Sequence, residues 1–249
     1  MIHWLVQSAN AAPEIGQGVA PAGLLSEAEA ARLAELTVVK RRRDWLLGRW
    51  TAKELVRTVL AEQYSVPVAP ADVIVMADPD GAPFVALAVD CGPLPQGRQP
   101  WSLSISHSRG VAFCALMLNQ EGDAHAIGAD IEFIEARADN FVRDFFTADE
   151  MALVRQTPAG QHDVVITAVW SAKEAVLKAL RTGLRLDTRQ VQCLIPGPLS
   201  VTDAWTAFTP TVAHAAAPQA RWSGWWRRPV EYAEFVLTLA EKQGWNNKI

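Results

Sequence analysis

Two carboxylates alternate along the segment IGADIE, residues 127 to 132, of this 249-residue chain. Successive side chains of a β-strand point to opposite faces, so Asp130 and Glu132 would share one face and the apolar residues the other. Neighbouring carboxylates repel each other, but they can hold a hard cation such as Mg²⁺ together with waters and phosphate oxygens. The pattern therefore predicts either a divalent-cation site or a solvated acidic strand face.

A second group of charges lies on the segment VWSAKEAVLKAL, residues 169 to 180. If its small apolar residues form the buried stripe of a helix, the opposite face carries four larger side chains: Trp170, Glu174, Leu177 and Lys178. A solvent face seldom combines a tryptophan and a leucine with an acid and a base. We expect this face to border a cleft, where Glu174 supplies a third carboxylate and Lys178 contacts an anion.

The basic segment KRRRDWLLGRWTAK, residues 40 to 53, offers anion contacts. On a helix, Arg42, Arg49 and Lys53 fall near one stripe, because steps of seven and four residues return to the same side. Such a stripe suits phosphates. A solvated charged face beside a leucine-rich core explains the pattern equally well.

His107 lies in SISHSRG, where a predicted strand turns. A lone histidine is often a structural hydrogen-bonding residue. Here its neighbour Ser106 is a donor that suits phosphate, so a binding role and a structural role both stay open.

The composition is that of an ordinary globular protein. Half of the residues are hydrophobic and the formal net charge is −4, which gives no reason to expect nucleic acid as a partner. The three cysteines match no metal-ligand spacing, so reduced thiols in the cytoplasm are expected. No apolar run reaches the roughly 18 residues of a membrane span, and the first residues are interpreted as a strand and not as a signal peptide.

The elements that would position these residues are helices and strands in mixed order, which predicts the α+β class. Capping boxes at Ser26 and Glu29 and at Thr147 and Glu150 begin two helices. The turn-like segment at residues 119 to 126 is the predicted boundary between an N-terminal half, residues 1–121, and a C-terminal half, residues 122–249. We detect no internal repeat by inspection. Other predicted elements are a helix at 44–62 and strands at 102–118, at 126–134 and at 231–240.

Taken together, these segments resemble the 4'-phosphopantetheinyl transferases of the Sfp type. The matching pieces, in family order, are LLGRWTAK, SISHSRGVAF, IGADIE, FFTADE and WSAKEAVLKALRTGL, and they cover much of residues 42 to 184. The combination of G-x-D-I-E with W-S-x-K-E-A-x-x-K is more specific than either motif alone. The resemblance implies two similar α+β halves related by a pseudo-twofold, with the active site in the cleft between them, and a monomer.

Members of this family transfer the phosphopantetheine arm of coenzyme A to a serine of an acyl or peptidyl carrier protein and release adenosine 3',5'-bisphosphate. The resemblance implies that Asp130, Glu132 and Glu174 hold Mg²⁺, or Mn²⁺, against the pyrophosphate. Glu174 would also be the base for the serine, directly or through a metal-bound water. Lys178 would contact the phosphates from the same helix, as a catalytic and a coenzyme A-binding residue.

On the coenzyme A side, the resemblance assigns phosphate contacts to Arg49, by its place in L-G-R, and to His107, by its place in S-H-S. Lys53, from the basic stripe, and Ser106 complete the predicted contacts. The family often has a basic residue between Gly and Pro in a turn before its middle strands. Ala82 takes that position here, so this contact is missing or supplied elsewhere.

Three other interpretations are open. A non-catalytic protein that binds coenzyme A or a related nucleotide would keep the basic residues but have little use for three carboxylates. A Mg-dependent phosphotransferase of unrelated fold is disfavoured, because the sequence has neither a G-x-x-x-x-G-K-[ST] loop nor a kinase motif set. The segment WSGWWRRP, residues 222 to 229, is either a protein-binding surface or core packing. Which carrier is modified is not readable from these motifs.

Overall fold

The computed structural model describes residues 1–122, 125–213 and 220–243. The chain divides into two compact units, Met1–Glu121 and Gly122–Ile249. Both units combine helices with antiparallel strands, which confirms the predicted α+β class. Within the described ranges no helix is both long enough and apolar enough to cross a membrane. The predicted pseudo-twofold and cleft stay predictions.

The N-terminal unit surrounds one long helix with two small sheets. Its elements are β1 (Ile2–Ser8), α1 (Pro13–Gly16), α2 (Glu27–Ala34), α3 (Val39–Tyr64), β2 (Val73–Ala77), β3 (Pro83–Leu87), β4 (Gly97–Arg98), β5 (Ser102–Ser108) and β6 (Val111–Met117). The antiparallel sheets have the orders β1-β6-β5 and β2-β3-β4. Helix α3 begins earlier than predicted, so the whole KRRR run is helical.

The C-terminal unit surrounds a second long helix with a larger sheet. Its elements are β7 (Ala126–Phe133), α4 (Phe141–Phe145), α5 (Ala148–Gln156), α6 (His162–Leu180), β8 (Val191–Gln192), β9 (Thr206–Phe208), β10 (Thr211–Val212), β11 (Arg221–Arg227) and β12 (Phe235–Gln243). The main sheet has the order β7-β12-β11-β9. In each unit the first strand therefore pairs antiparallel with the last strand.

Both predicted capping boxes are confirmed, and both extend into the core. Glu29 at the start of α2 and Glu150 at the start of α5 accept the backbone N–H of their capping residue. Each glutamate is fully buried and forms an ion pair with a fully buried lysine of the long helix, Lys53 at 2.6 Å and Lys173 at 2.8 Å. A short helix is thus anchored to the long one inside each core.

Both buried lysines use all the N–H donors of their ammonium groups inside the protein core. An ammonium group carries three N–H donors. Lys53 donates to Glu29 and to the carbonyls of Pro70 and Val73. In the other unit, Lys173 donates to the carbonyls of Thr188 and Val191 besides its glutamate.

Apolar side chains fill the rest of both cores. Trp222 and Trp226 of β11 belong to the core of the C-terminal unit, so the tryptophan-rich segment serves packing there. The side chains of Cys91, Cys114 and Cys193 are buried and are not joined in disulfide bonds. Burial raises the pKa of Cys193 most strongly, which keeps its thiol protonated.

Candidate functional site

Strand β7 carries Asp130 and Glu132 on one face, as the alternation predicted. Asp130 is only 3 % exposed, and the side chain of Glu132 is 24 % exposed. The alternative of a solvated acidic strand face is therefore wrong. Two neighbouring carboxylates that are largely shielded from water require cations nearby.

Glycine at position 128 allows β7 to lie directly against α6. A Cβ at Gly128 would come within 1.8 Å of the carbonyl oxygen of Ala175. No side chain fits in that space, so the strand and helix backbones touch. The carboxylates that follow on β7 are thereby placed beside the helix turn that carries Glu174 and Lys178.

Lys178 joins the helix to the acidic strand. Its Nζ donates to Asp130 Oδ1 at 2.7 Å and to the carbonyl of Ala129 at 3.0 Å. Its side chain is 28 % exposed. Within the described residues one of its three donors is left over for an anion.

Glu174 lies one turn before Lys178 and forms no hydrogen bond or ion pair with any described residue. Burial and the negative charge of Asp130 raise the pKa of Glu174 to about 7, with Glu132 adding to the rise and Lys178 opposing it. The charges of Asp130 and Glu132 thus act on Glu174. A carboxyl with this pKa can take up a proton near neutral pH.

Glu132 is neutralised by a residue that sequence reasoning missed. Arg137, on the loop between β7 and α4, donates from Nη2 to Glu132 Oε2 at 3.1 Å. Burial and Asp130 raise the pKa of Glu132, and Arg137 opposes this rise. The only sequence signal for Arg137 is a basic residue shortly after the acidic pair.

The three carboxylates suit a hard cation by their chemistry. Mg²⁺ prefers oxygen ligands such as carboxylates. A cation between the three would relieve the repulsion from Asp130 and Glu132, which adds to burial in raising the pKa of Glu174. Among the described residues, however, no three His, Cys, Asp or Glu side chains are grouped closely enough to hold an ion. Two of the three carboxylates are paired with cationic side chains instead, Asp130 with Lys178 and Glu132 with Arg137.

The prediction for the back of α6 is wrong in part. Leu177 is fully buried and Trp170 is 8 % exposed, so neither borders an open cleft. Trp170 packs edge-to-face on Phe141 and Phe145, with centroids 5.0 and 5.3 Å away. Helix α6 is buried on nearly all sides, and only its polar positions reach the site.

Arg49 and His107 line one pocket of about 360 Å³ within the N-terminal unit. The Arg49 guanidinium lies 4.7 Å from the ring centroid of Trp45, and its Nε donates to the carbonyl of Val75. Its two Nη groups form no hydrogen bond with described residues. Arg41 and Trp45, which sequence reasoning had not assigned, also line the pocket.

The turn with Ala82 borders the same pocket, which Gly81 and Pro83 help to line. The turn itself has no basic residue, because Ala82 takes that position, but Arg41 supplies a positive charge to the same pocket. Ser106 differs from the prediction. It alternates with His107 on β5 and is 8 % exposed, so its side chain lies on the other face of the strand.

The predicted phosphate contact of Lys53 is wrong. Its ammonium group is fully buried and spends all three donors inside the core, so it cannot reach coenzyme A. Arg42 also leaves the predicted stripe, because its guanidinium donates to the carbonyls of Gly18, Leu33 and Leu36. Of the three residues of the predicted stripe, only Arg49 lines the pocket.

Comparison with known proteins gives a match in the C-terminal unit. Residues 126–240 match the model of the 4'-phosphopantetheinyl transferase superfamily. A curated relative is the 4'-phosphopantetheinyl transferase HetI of Nostoc sp. strain PCC 7120, which is 29 % identical over 108 residues. This alignment covers 41 % of the present chain and 44 % of HetI, so the chain spans less than half the length of the curated relative it matches.

Solved structures of holo-acyl-carrier-protein synthases show a weaker likeness. The enzyme of Bacillus anthracis, in complex with CoA (3',5'-ADP), is 21 % identical with a TM-score of 0.35, covering 46 % of this chain and 91 % of that one. The apo-enzyme of Chronobacterium ammoniagenes is 24 % identical with a TM-score of 0.38, covering 48 % and 97 %. TM-scores this low do not establish a shared fold.

The family model begins at β7 and ends in β12, so it contains the acidic strand, helix α6 and the sheet that supports them. The motifs IGADIE, FFTADE and WSAKEAVLKALRTGL lie inside this range, and LLGRWTAK and SISHSRGVAF lie outside it. Residues 126–240 of this chain are thus similar to the 4'-phosphopantetheinyl transferase superfamily.

Proposed function

We propose that this protein transfers the 4'-phosphopantetheine arm of coenzyme A to a serine hydroxyl of an acyl or peptidyl carrier protein and releases adenosine 3',5'-bisphosphate. The observation that carries the proposal is the contact of β7 with α6 at Gly128, which places the helix turn of Glu174 and Lys178 beside the acidic strand, inside the segment that matches the family. HetI, named as such a transferase, supports the activity.

In this proposal Asp130, Glu132 and Glu174 hold a magnesium ion, with Mn²⁺ as a substitute. When bound, the ion neutralises charge on the pyrophosphate. Lys178 donates its remaining hydrogen to a phosphate oxygen and adds positive charge where the leaving phosphate develops negative charge. Its bond to Asp130 keeps the ammonium group in place.

Glu174 acts as the general base. The serine oxygen attacks the phosphorus that bears the pantetheine arm, the bond to the bridging oxygen breaks, and the electron pair leaves with adenosine 3',5'-bisphosphate. The serine proton passes to Glu174, directly or through a water, because Glu174 accepts no hydrogen bond from any described residue. No other carboxylate of the group lacks a cationic partner.

Arg49, His107 and Arg41 bind the nucleotide phosphates of coenzyme A in the pocket of the N-terminal unit. The support is that Arg49 has two unused Nη groups there and that a second guanidinium lines the same space. Guanidinium groups pair well with phosphate oxygens.

The test is the intact mass of apo carrier domains incubated with this protein, coenzyme A and Mg²⁺, beside the same mixture with EDTA. A gain of one phosphopantetheine arm that EDTA abolishes is the expected result. Absence of any gain with fatty-acid, polyketide and peptide carriers, while coenzyme A still binds, would favour a non-catalytic coenzyme A-binding protein.

A further inference from the structure

Arg137 holds Glu132 in a partly shielded ion pair. Its Nη2 lies 3.1 Å from Glu132 Oε2 and its Nη1 lies 3.8 Å from Glu135 Oε1. The guanidinium also lies over the ring of Phe141, 5.3 Å from its centroid. Only 19 % of the Arg137 side chain and 24 % of the Glu132 side chain are exposed, so water screens the pair weakly.

We propose that Arg137 is the counter-ion that Glu132 exchanges for a divalent cation, and that Arg137 thereby sets the metal affinity of the site. This inference rests on the proposed function. A carboxylate oxygen that accepts from a guanidinium has committed a lone pair. A cation at about 2.1 Å from the same oxygen would also repel the guanidinium.

The charge balance of the site is compatible with the exchange. Three carboxylates, one lysine and one divalent cation sum to zero, and Arg137, once released from Glu132, keeps Glu135 as its partner. Before that, Lys178 and Arg137 neutralise two of the three carboxylates.

Position in the fold makes Arg137 the partner that can leave. Lys178 sits in the last turns of α6 and also bonds the carbonyl of Ala129, so helix and strand both hold it. Arg137 follows the end of β7 at Phe133 and precedes α4, where no strand pairing restrains the backbone. Release of Glu132 therefore needs a loop adjustment and no change in the sheet.

The experiment measures Mn²⁺ binding by calorimetry, with electron paramagnetic resonance of free Mn²⁺ as a check, without coenzyme A. We expect Arg137→Gln to bind Mn²⁺ about fivefold to tenfold more tightly than the wild type, the scale of one partly shielded ion pair. Arg137→Lys, which keeps the charge, should stay near the wild type. The matched control is Arg143→Gln, because Arg143 is 73 % exposed and pairs with Asp144 on α4.

A double variant tests whether the effect of Arg137 on metal affinity depends on Glu132. In a Glu132→Gln background, Arg137→Gln should bring no gain in Mn²⁺ affinity. Equal or weaker binding by Arg137→Gln than by the wild type overturns the proposal, as does the absence of measurable Mn²⁺ binding by both. Folding of each variant is checked by its thermal unfolding curve.

The outcome separates this inference from the proposed function. If the wild type transfers the phosphopantetheine arm but Arg137→Gln leaves the Mn²⁺ affinity unchanged, only the exchange is refuted. If Arg137→Gln tightens Mn²⁺ binding and no carrier is modified, only the transferase function is refuted.

Discussion

Helix α3 in the N-terminal unit and helix α6 in the C-terminal unit carry nearly the same segment, WTAKELV at residues 50–56 and WSAKEAV at residues 170–176. In both, the lysine enters the core and binds the capping-box glutamate of the preceding helix. That glutamate accepts a further backbone N–H in each unit, from Val75 and from Cys193. The two units thus share one anchor for the long helix.

The surroundings of the next residue differ. In the N-terminal unit Glu54 pairs with Arg57 at 2.7 Å on its own helix, and strand β1 carries no carboxylate. In the C-terminal unit Glu174 faces the two acids of β7. The comparison teaches that the anchor fixes the helix, whereas the chemistry depends on which residues the neighbouring strand presents.

The largest expected effect is on the rate of arm transfer, and it tests the difference between Glu174 and Glu54. Glu174→Gln should lower the rate of arm transfer by more than about 10³-fold, since it removes both a base and a ligand, and Asp130→Ala should do the same. Glu54→Gln, the matched change in the N-terminal unit, should leave the rate near that of the wild type. Mass spectrometry of the carrier measures all three rates. An equal loss in the Glu54 and Glu174 variants would contradict the distinction.

Removing either anchor glutamate should destabilise its unit strongly. Glu150→Ala and Glu29→Ala each leave a buried ammonium group uncompensated, at a cost of about 3–5 kcal/mol. Urea unfolding followed by tryptophan fluorescence measures the loss. Exchange of both partners for apolar residues, as in Glu150→Leu with Lys173→Met, should recover most of it. A loss below about 1 kcal/mol in either single variant would show that the anchor is dispensable.

The two units should also respond differently to an added methyl group. Gly128→Ala drives a Cβ into the Ala175 carbonyl, and we expect a loss of about 2–3 kcal/mol in unfolding free energy. The control is Gly48→Ala on α3, where the Cβ would meet the Ile105 side chain at 2.9 Å. There the helix gain of alanine over glycine, about 1 kcal/mol, offsets much of the crowding. Similar losses in both would mean that the strand–helix contact is not special.

Arg49→Ala should weaken the binding of coenzyme A without slowing the transfer step. Loss of one charge-assisted phosphate contact predicts a rise in KM for coenzyme A of about tenfold to thirtyfold, with kcat nearly unchanged. Steady-state kinetics at varied coenzyme A measure both constants. A fall in kcat with unchanged KM would instead place Arg49 at the reacting phosphate.

The smallest expected effect is a pH dependence of the metal-free protein. The pKa of Glu174 is raised from 4.5 to about 7 in the folded state, so between these values the folded protein binds more protons than the unfolded chain. Stability should therefore fall as the pH rises through 7, by about 1–2 kcal/mol after allowance for partial exposure. Unfolding in EDTA across this range measures it, and Glu174→Gln should lack the decline. The same decline in the variant would assign it to another group.

Much of this arrangement follows from local sequence rules. The capping boxes, the strand that carries D-x-E and the placement of Asp130 and Glu132 on one face depend on nearest neighbours along the chain, and each is present. The repeated WTAKE and WSAKE segments were missed, because the strands and loops around them share almost no residues. The repeat becomes evident only when each lysine is seen to bind its glutamate.

Other errors came from assuming that charged residues face water. Lys53 was assigned to a ligand because lysines are rarely buried, and its partner Glu29 had already been explained as a helix cap. The back of α6 was assigned to a cleft because its tryptophan and leucine, beside an acid and a base, are unusual on a solvent face. A helix with sheet and helices on several sides has no such face.

The buried thiols give this protein three internal probes of its own opening. Cys193 is fully buried in the core of the C-terminal unit and donates its backbone N–H to Glu150, so an alkylating reagent reaches its sulfur when that core opens. Cys91 and Cys114 report in the same way on the N-terminal unit. Peptide-level alkylation rates would therefore reveal which of the two units opens first, without substitution of any residue.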